Sequence, residues 1–325
     1  MKTAVLAVLA VLSVAASAAE IKLHIKGEPA PPPKTAAVKQ DYGILLLAHG
    51  GEPEWDAEIS SLTAKVNESV PAESALGMAD PATLQAALDR LAARGVARVI
   101  AVPLFVHSRS EILDQTRYVL GLAKNPSEVL REAAKRMMAA HAGAHGSDPH
   151  AMMHHHMFST DRVKTKLPII LTAALDDDVL VSKILLERAR ALSRDPKTES
   201  VVLVAHGPVD EAAVNAWFAT LAKHAEYVRR EGGFRVVSFA VLRDDAAPEI
   251  RAASVAGLRA RVASGAKDGR VLVVPVLIAR GGIEGKLPTD LEGLEYAWDG
   301  ATLMPHDGFD SWVLSKALDA AKSRP

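Results

Sequence analysis

The sequence predicts an α/β protein of two duplicated doubly wound units, each a four-stranded parallel sheet flanked by helices. Three observations predict it. The apolar run Ile44-Leu45-Leu46-Leu47 ends abruptly in Ala48-His49-Gly50, and Val201-Val202-Leu203-Val204 ends the same way in Ala205-His206-Gly207. A strand buried on both faces reads as such a run, and open α/β sheets place their ligands at its carboxyl end. Strand and helix signals alternate at short spacing in both halves, which implies right-handed crossovers and parallel pairing. The closing helices also echo each other, Val181-Ser182-Lys183 against Leu314-Ser315-Lys316.

The elements follow in order. Gly43–Ala48 is a strand, Glu54–Ser69 a helix entered after Pro53, and Glu73–Gly77 a short strand. Pro81–Arg94 is a helix with proline in its first turn, stopped at Gly95, where the absence of a side chain permits a left-handed cap. Arg98–Phe105 is a second strong strand, and the polar loop Val106-His107-Ser108-Arg109-Ser110-Glu111 after it opens a helix to about Leu122. Glu128–Ala140 reads as helical, Pro168–Thr172 as a strand and Asp178–Arg194 as a helix. The order then recurs as strand Ser200–Ala205, helix Glu211–Arg230, strand Phe234–Val241, helix Ala246–Ala263 and strand Arg270–Ile278. A short strand, Ala301–Met304, and the helix Phe309–Lys322 end the chain. The units accordingly span residues 41–172 and 173–325.

The first 40 residues read differently. Lys2, the apolar stretch Ala4–Val14 and the small-residue signature Ala16-Ser17-Ala18 form a secretory signal peptide over residues 1–18, too short to span a membrane. Residues 19–40 hold Pro29-Ala30-Pro31-Pro32-Pro33 and read as an extended linker. The expected location is the periplasm, or the medium outside it, with no stable membrane insertion. Across 325 residues a net charge of −1 and 4% aromatic side chains give no electrostatic footprint for nucleic acid. The chain has no cysteine, so a metal must be held by nitrogen, oxygen or thioether sulfur.

Residues 125–166 have no counterpart in the second half. They carry His141, His145, His150, His154, His155 and His156, with Met137, Met138, Met152, Met153 and Met157 among them. Imidazole and thioether donors together suit nickel, cobalt, copper or zinc, so the stretch reads either as an accessory metal-binding loop or as a solvated insertion. No G-x-x-x-x-G-K-[ST] run occurs, so nothing calls for a nucleotide.

Taken together, Leu47-Ala48-His49-Gly50, its copy Val204-Ala205-His206-Gly207, Val102-Pro103-Leu104-Phe105 with its polar loop, the analogous Val274-Pro275-Val276-Leu277, and Ala79-Asp80-Pro81 resemble the class II tetrapyrrole chelatases of the CbiX type. The resemblance runs from about Asp41 to Trp312, the histidine-rich insertion excepted. It implies a chelatase-like fold and the insertion of a divalent metal, Co²⁺, Fe²⁺ or Ni²⁺, into sirohydrochlorin or a related tetrapyrrole without ATP. It implies His49 as metal ligand and base, with His206 its copy. The family's second ligand lies eight residues beyond the strand proline, which is Glu111 after Pro103 in the first half. In the second half that position is Ile283, with Glu284 next to it, so the first half looks the more complete. The second is then a relic, a structural partner, or a site using Glu284 and His306 differently. His107 is a further candidate, Trp55, Phe105 and Val106 candidate walls of a macrocycle cleft, and Arg109 a candidate partner for substrate carboxylates.

A second reading is a noncatalytic periplasmic carrier of metal or tetrapyrrole on the same scaffold. A third, histidine phosphatase, rests only on His49, Gly50 and Glu52; those enzymes place an arginine before the histidine, where this chain has Ala48, and the reading is set aside.

Overall fold

The computed structural model describes residues 41–51, 53–77, 79–129, 131–132, 135, 161–280 and 282–323, with only the backbone of 282–284. The signal peptide, the linker and all six insertion histidines lie outside the described residues. Of the expected helix Glu128–Ala140, the described residues 128–129, 131–132 and 135 are helical.

The first sheet is built from β1 (Tyr42–Ala48), β2 (Ala72–Leu76), β3 (Arg98–Pro103) and β4 (Ile169–Leu171), all parallel, in the order β2-β1-β3-β4. Helices α1 (Pro53–Asn67), α2 (Pro81–Ala93) and α3 (Glu111–Val119) belong to this half. Every residue of β1 is buried, as its unbroken apolar run requires. In α1 the buried residues Trp55, Ile59, Leu62 and Val66 recur at helical spacing and form one face. Asp80 caps α2, accepting from the backbone N–H groups of Ala82 and Thr83 at 3.2 and 3.1 Å. Gly95, at φ 74°, ends that helix as expected.

The second sheet has β5 (Ser200–Ala205), β6 (Val236–Val241) and β7 (Val271–Val276) in the order β6-β5-β7. Around it run α4 (Val179–Leu192), α5 (Val214–Gly232, entered through a short 3₁₀ turn), α6 (Pro248–Ala266), α7 (Gly282–Asp290) and α8 (Gly308–Lys322). Its strand count corrects the expected four to three. The fourth position holds only a single parallel bridge, Leu272 to Ala297. Residues 301–304, expected as that strand, lie further on; Leu303 and Met304 donate their N–H groups to Leu277 and Ile278, both at 2.8 Å. The ladder is shortened because Asp299-Gly300, with Gly300 at φ 70°, turns the chain away directly after Trp298. Helix α7 was unforeseen, since Gly281-Gly282 reads as a turn and Gly285 and Pro288 lie within it. It is held by Leu287, fully buried in the core of the second half, with Leu291 just beyond its end.

The closing helices are exchanged. Helix α4 follows the first sheet but packs on α5 and β7, whereas α8 follows the second sheet and packs on α1 and β3. They meet at Asp178, which caps α4 at Leu180 N (3.0 Å) and also accepts from Trp312 Nε1 (3.0 Å) and Lys316 Nζ (3.2 Å). Alternation along the strands divides the core accordingly. Ile44 and Leu46 of β1 and Val201 and Leu203 of β5 share one central cluster with α1, α4, α5 and α8. Leu45 and Leu47, and Val202 and Val204, face separate outer clusters. Among the described residues no helix is long and apolar enough to cross a membrane.

Candidate functional site

In both sheets the order reverses around the central strand, so β1 and β5 each end at a crevice between neighbours that cross over to opposite sides. His49 and His206 are the first residues beyond those ends. Each ring donates Nδ1–H to the carbonyl of the following residue, His49 to Gly50 and His206 to Gly207 at 2.6 Å. That bond fixes the tautomer and directs Nε2 outward.

Beyond Nδ1 the two differ. His49 is exposed, and its Nε2 has no hydrogen-bond partner among the described residues. Its backbone is pinned from below, because the buried Trp55 donates its indole N–H to the His49 carbonyl. Partial burial at the crevice pulls the His49 pKa below the usual value; the nearby His206 charge adds to this, while the Gly50 carbonyl, Asp245 and Asp56 oppose it. His49 is therefore a neutral imidazole at neutral pH with an available lone pair. The Nε2 of His206 instead lies 3.1 Å from Asp245 Oδ2. Burial alone would lower its pKa, but the hydrogen bond and charge of Asp245 outweigh it and push the value up to about 9. Burial pushes the Asp245 carboxyl up, yet the His206 bond, with its charge, Lys286 and His49, holds it below the ordinary range. Two equivalent histidines are thus driven apart by environment into a base and an imidazolium.

The pair makes stability depend on pH. The folded pKa of His206 lies above the unfolded value, so its contribution is complete below about pH 6.5 and is lost as pH rises through about 9. The thermal midpoint is expected to fall across that window by more than it does in His206→Asn; parallel slopes would show that the pair does not titrate this way. The buried His107 and His224, whose pKa values burial lowers, act with the opposite sign and cost stability as pH falls below about 6.5.

Asp245 sits on a loop that sequence reasoning passed over, Leu242-Arg243-Asp244-Asp245, directly after β6. Arg243 adopts φ 54°, a left-handed conformation costly for a side-chain-bearing residue. Its N–H donates to the His206 carbonyl at 2.6 Å, and its buried guanidinium donates to the carbonyls of Pro208 (3.0 Å) and Val209 (2.9 Å) and to Glu211 Oε2 (2.6 Å). Asp244 is gripped by Arg251 (2.9 Å) and Lys286 (2.6 Å). The signal available in the sequence was a charged triplet at a strand end; recognising it required the sheet order that sets β6 beside β5. Gly207 is the tight point of this loop, with φ 79° and room for no Cβ, which would stand 2.6 Å from Cβ of Val241. Gly207→Ala should cost about 1–3 kcal/mol in denaturant unfolding, and an unchanged midpoint would show that the loop relaxes freely.

The remaining candidates fall as follows. Glu111 is the first residue of α3, and its Oε1 accepts from Asp210 N at 2.7 Å, so its carboxylate ties the first half to the loop that follows His206. His107 is 5% exposed and fully engaged: Nδ1 accepts from Arg109 N (2.9 Å), Nε2 donates to Thr220 Oγ1 (3.2 Å), and the ring stacks on Trp217 at 4.9 Å. His306 accepts from Gly308 N at 3.0 Å and pairs with Glu187 at 3.2 Å. Glu284 lies in α7, its side chain outside the described ones. Trp55 is buried in the central core, Phe105 is half-buried against the outer cluster of the first half, Val106 packs against the central one, and Arg109 is exposed. Among the described residues no three His, Asp or Glu side chains converge closely enough to cage an ion.

The doubly wound two-half fold recurs in solved chelatase structures. Two solved structures share it: SirB from Bacillus subtilis with Fe³⁺ (12% identity, TM-score 0.56) and the sirohydrochlorin chelatase SirB from Bacillus subtilis subspecies spizizenii in complex with cobalt (11% identity, TM-score 0.52). In each case 86% of this chain and 95% of the other are covered. Residues 43–192 match the CbiX family model. None of the curated proteins searched matches the sequence.

Proposed function

We propose that the protein is an exported class II chelatase that inserts a divalent metal, cobalt, iron or nickel, into sirohydrochlorin or a related tetrapyrrole without a nucleotide. The observation that carries this reading is His49, a neutral, solvent-accessible imidazole at the switch point of the first sheet, its Nδ1 occupied and its Nε2 available. Insertion exchanges two pyrrolic protons for one cation, so the site needs a base facing the ring and a ligand weak enough to surrender the metal. A single imidazole performs both tasks near neutral pH. Glu111, with one oxygen committed to Asp210 N, is the second ligand in this reading, its other oxygen stripping water from the ion and taking up protons. The CbiX match over the half that contains both residues supports it, as does the common fold with SirB, solved with iron and with cobalt. Export rests on the N-terminal signal, and the histidine- and methionine-rich stretch before residue 161 serves as an accessory metal collector.

The test is anaerobic absorbance of the mature protein with sirohydrochlorin and Co²⁺, Fe²⁺ or Ni²⁺, against the spontaneous reaction. Multiple turnovers above that background are expected. Stoichiometric binding of metal or tetrapyrrole without turnover would assign the protein as a carrier instead.

A further inference from the structure

We propose that Asp245 is a positioning residue that keeps the second strand-end histidine, His206, from acting as a metal ligand, so that the cleft offers a cation one imidazole lone pair instead of two. The two histidines are copies in sequence, in strand position and in the bond from Nδ1 to the next carbonyl. They differ in what Nε2 meets. That of His206 is taken by the Asp245 carboxylate, and with both nitrogens directed at acceptors the ring has no lone pair for a metal.

The difference traces to the lengths of two equivalent loops. Ala48 pairs with Leu76 and Ala205 with Val241, so the loops that leave β2 and β6 start at corresponding places beside the two histidines. In the first half α2 starts immediately after Asp80, whose carboxylate is committed to capping Ala82 N and Thr83 N. In the second half α6 starts only at Pro248, with Ala246 and Ala247 intervening and Ala247 as the cap position. Asp245 is thereby released from capping and turns to His206. The strained Arg243 and the doubly bridged Asp244 hold it there.

The inference deepens the chelatase reading and rests on it for its meaning: with His206 held by Asp245, His49 and Glu111 are the ligands that reading leaves to the metal. The test needs no tetrapyrrole and so stands apart from that reading. Co²⁺ alone is titrated into the full mature chain at pH 7.5, followed by visible absorption and by competition with a chromophoric chelator, in wild type, Asp245→Ala, Asp245→Asn and Asp245→Ala with His206→Ala. The histidine-rich stretch is present in all four, so its contribution cancels in the comparison. The expected result is one site tightened about tenfold or more in Asp245→Ala, since the proton held on His206 no longer competes with the metal, the same direction in Asp245→Asn, and loss of the gain in the double variant. Unchanged affinity in both single variants, or a gain that survives removal of His206, overturns the proposal. Circular dichroism checks folding, and if Asp245→Ala is unfolded Asp245→Asn, alone and combined with His206→Ala, carries the test. Absence of turnover in wild type would count against the chelatase reading and leave these binding outcomes as they are.

Discussion

Replacing His49 with alanine is expected to lower the metal-insertion rate by about 10²- to 10⁴-fold, the range associated with removal of a positioned base, while the protein stays folded. The ring is exposed and lies outside the cores, so its loss opens no cavity. The bond from Trp55 to residue 49 uses the backbone carbonyl and survives the substitution. The variant therefore separates chemistry from stability. Initial rates of absorbance change, measured against thermal midpoints for the same preparations, provide the check. A variant that retains the wild-type rate within a few-fold would remove His49 from the reaction, and the His206–Asp245 pair would not replace it, since that ring has no free nitrogen.

Phe309→Ala is expected to destabilise the protein by about 3–5 kcal/mol, and the damage should appear in the half that the sequence does not place beside it. Phe309 belongs to α8, the last helix, and is 1% exposed, edge-to-face with Trp312 at 6.4 Å. Because α8 packs on α1 and β3, truncating this ring hollows the layer between the sheets. Urea unfolding should remain a single transition, since both sheets contribute to one central cluster. Hydrogen exchange should quicken in β1 and β3 as well as in β5 and β7. A loss under about 1 kcal/mol, or protection lost in the second sheet alone, would contradict the exchanged arrangement.

Much of the architecture was legible because it is written locally. The buried run of β1, the helical spacing of Trp55, Ile59, Leu62 and Val66, and the stop at Gly95 are each consequences of neighbouring residues. Ser200–Ala205 is found where its apolar run places it. The two strand-end histidines were visible for the same reason. Helix α7 was not, because Gly285 and Pro288 obscure its pattern and two leucines, Leu287 and Leu291, hold it through burial. The fourth strand of the second sheet failed at Ala301–Met304, because the chain turns at Asp299-Gly300 and Leu303 and Met304 donate their N–H groups to Leu277 and Ile278, beyond the end of β7.

Sequence alone determined that this chain contains two parallel α/β units with a histidine at the head of each, since strand burial and duplication are properties of short segments. Tertiary structure decided that those histidines are unlike. The neighbour of each is set by sheet order and by where the next helix begins, and a carboxylate that caps a helix in one half is free to hold an imidazole in the other. It also decided which closing helix covers which sheet, because that choice depends on the apolar faces of elements far apart in the chain and on the burial they achieve together.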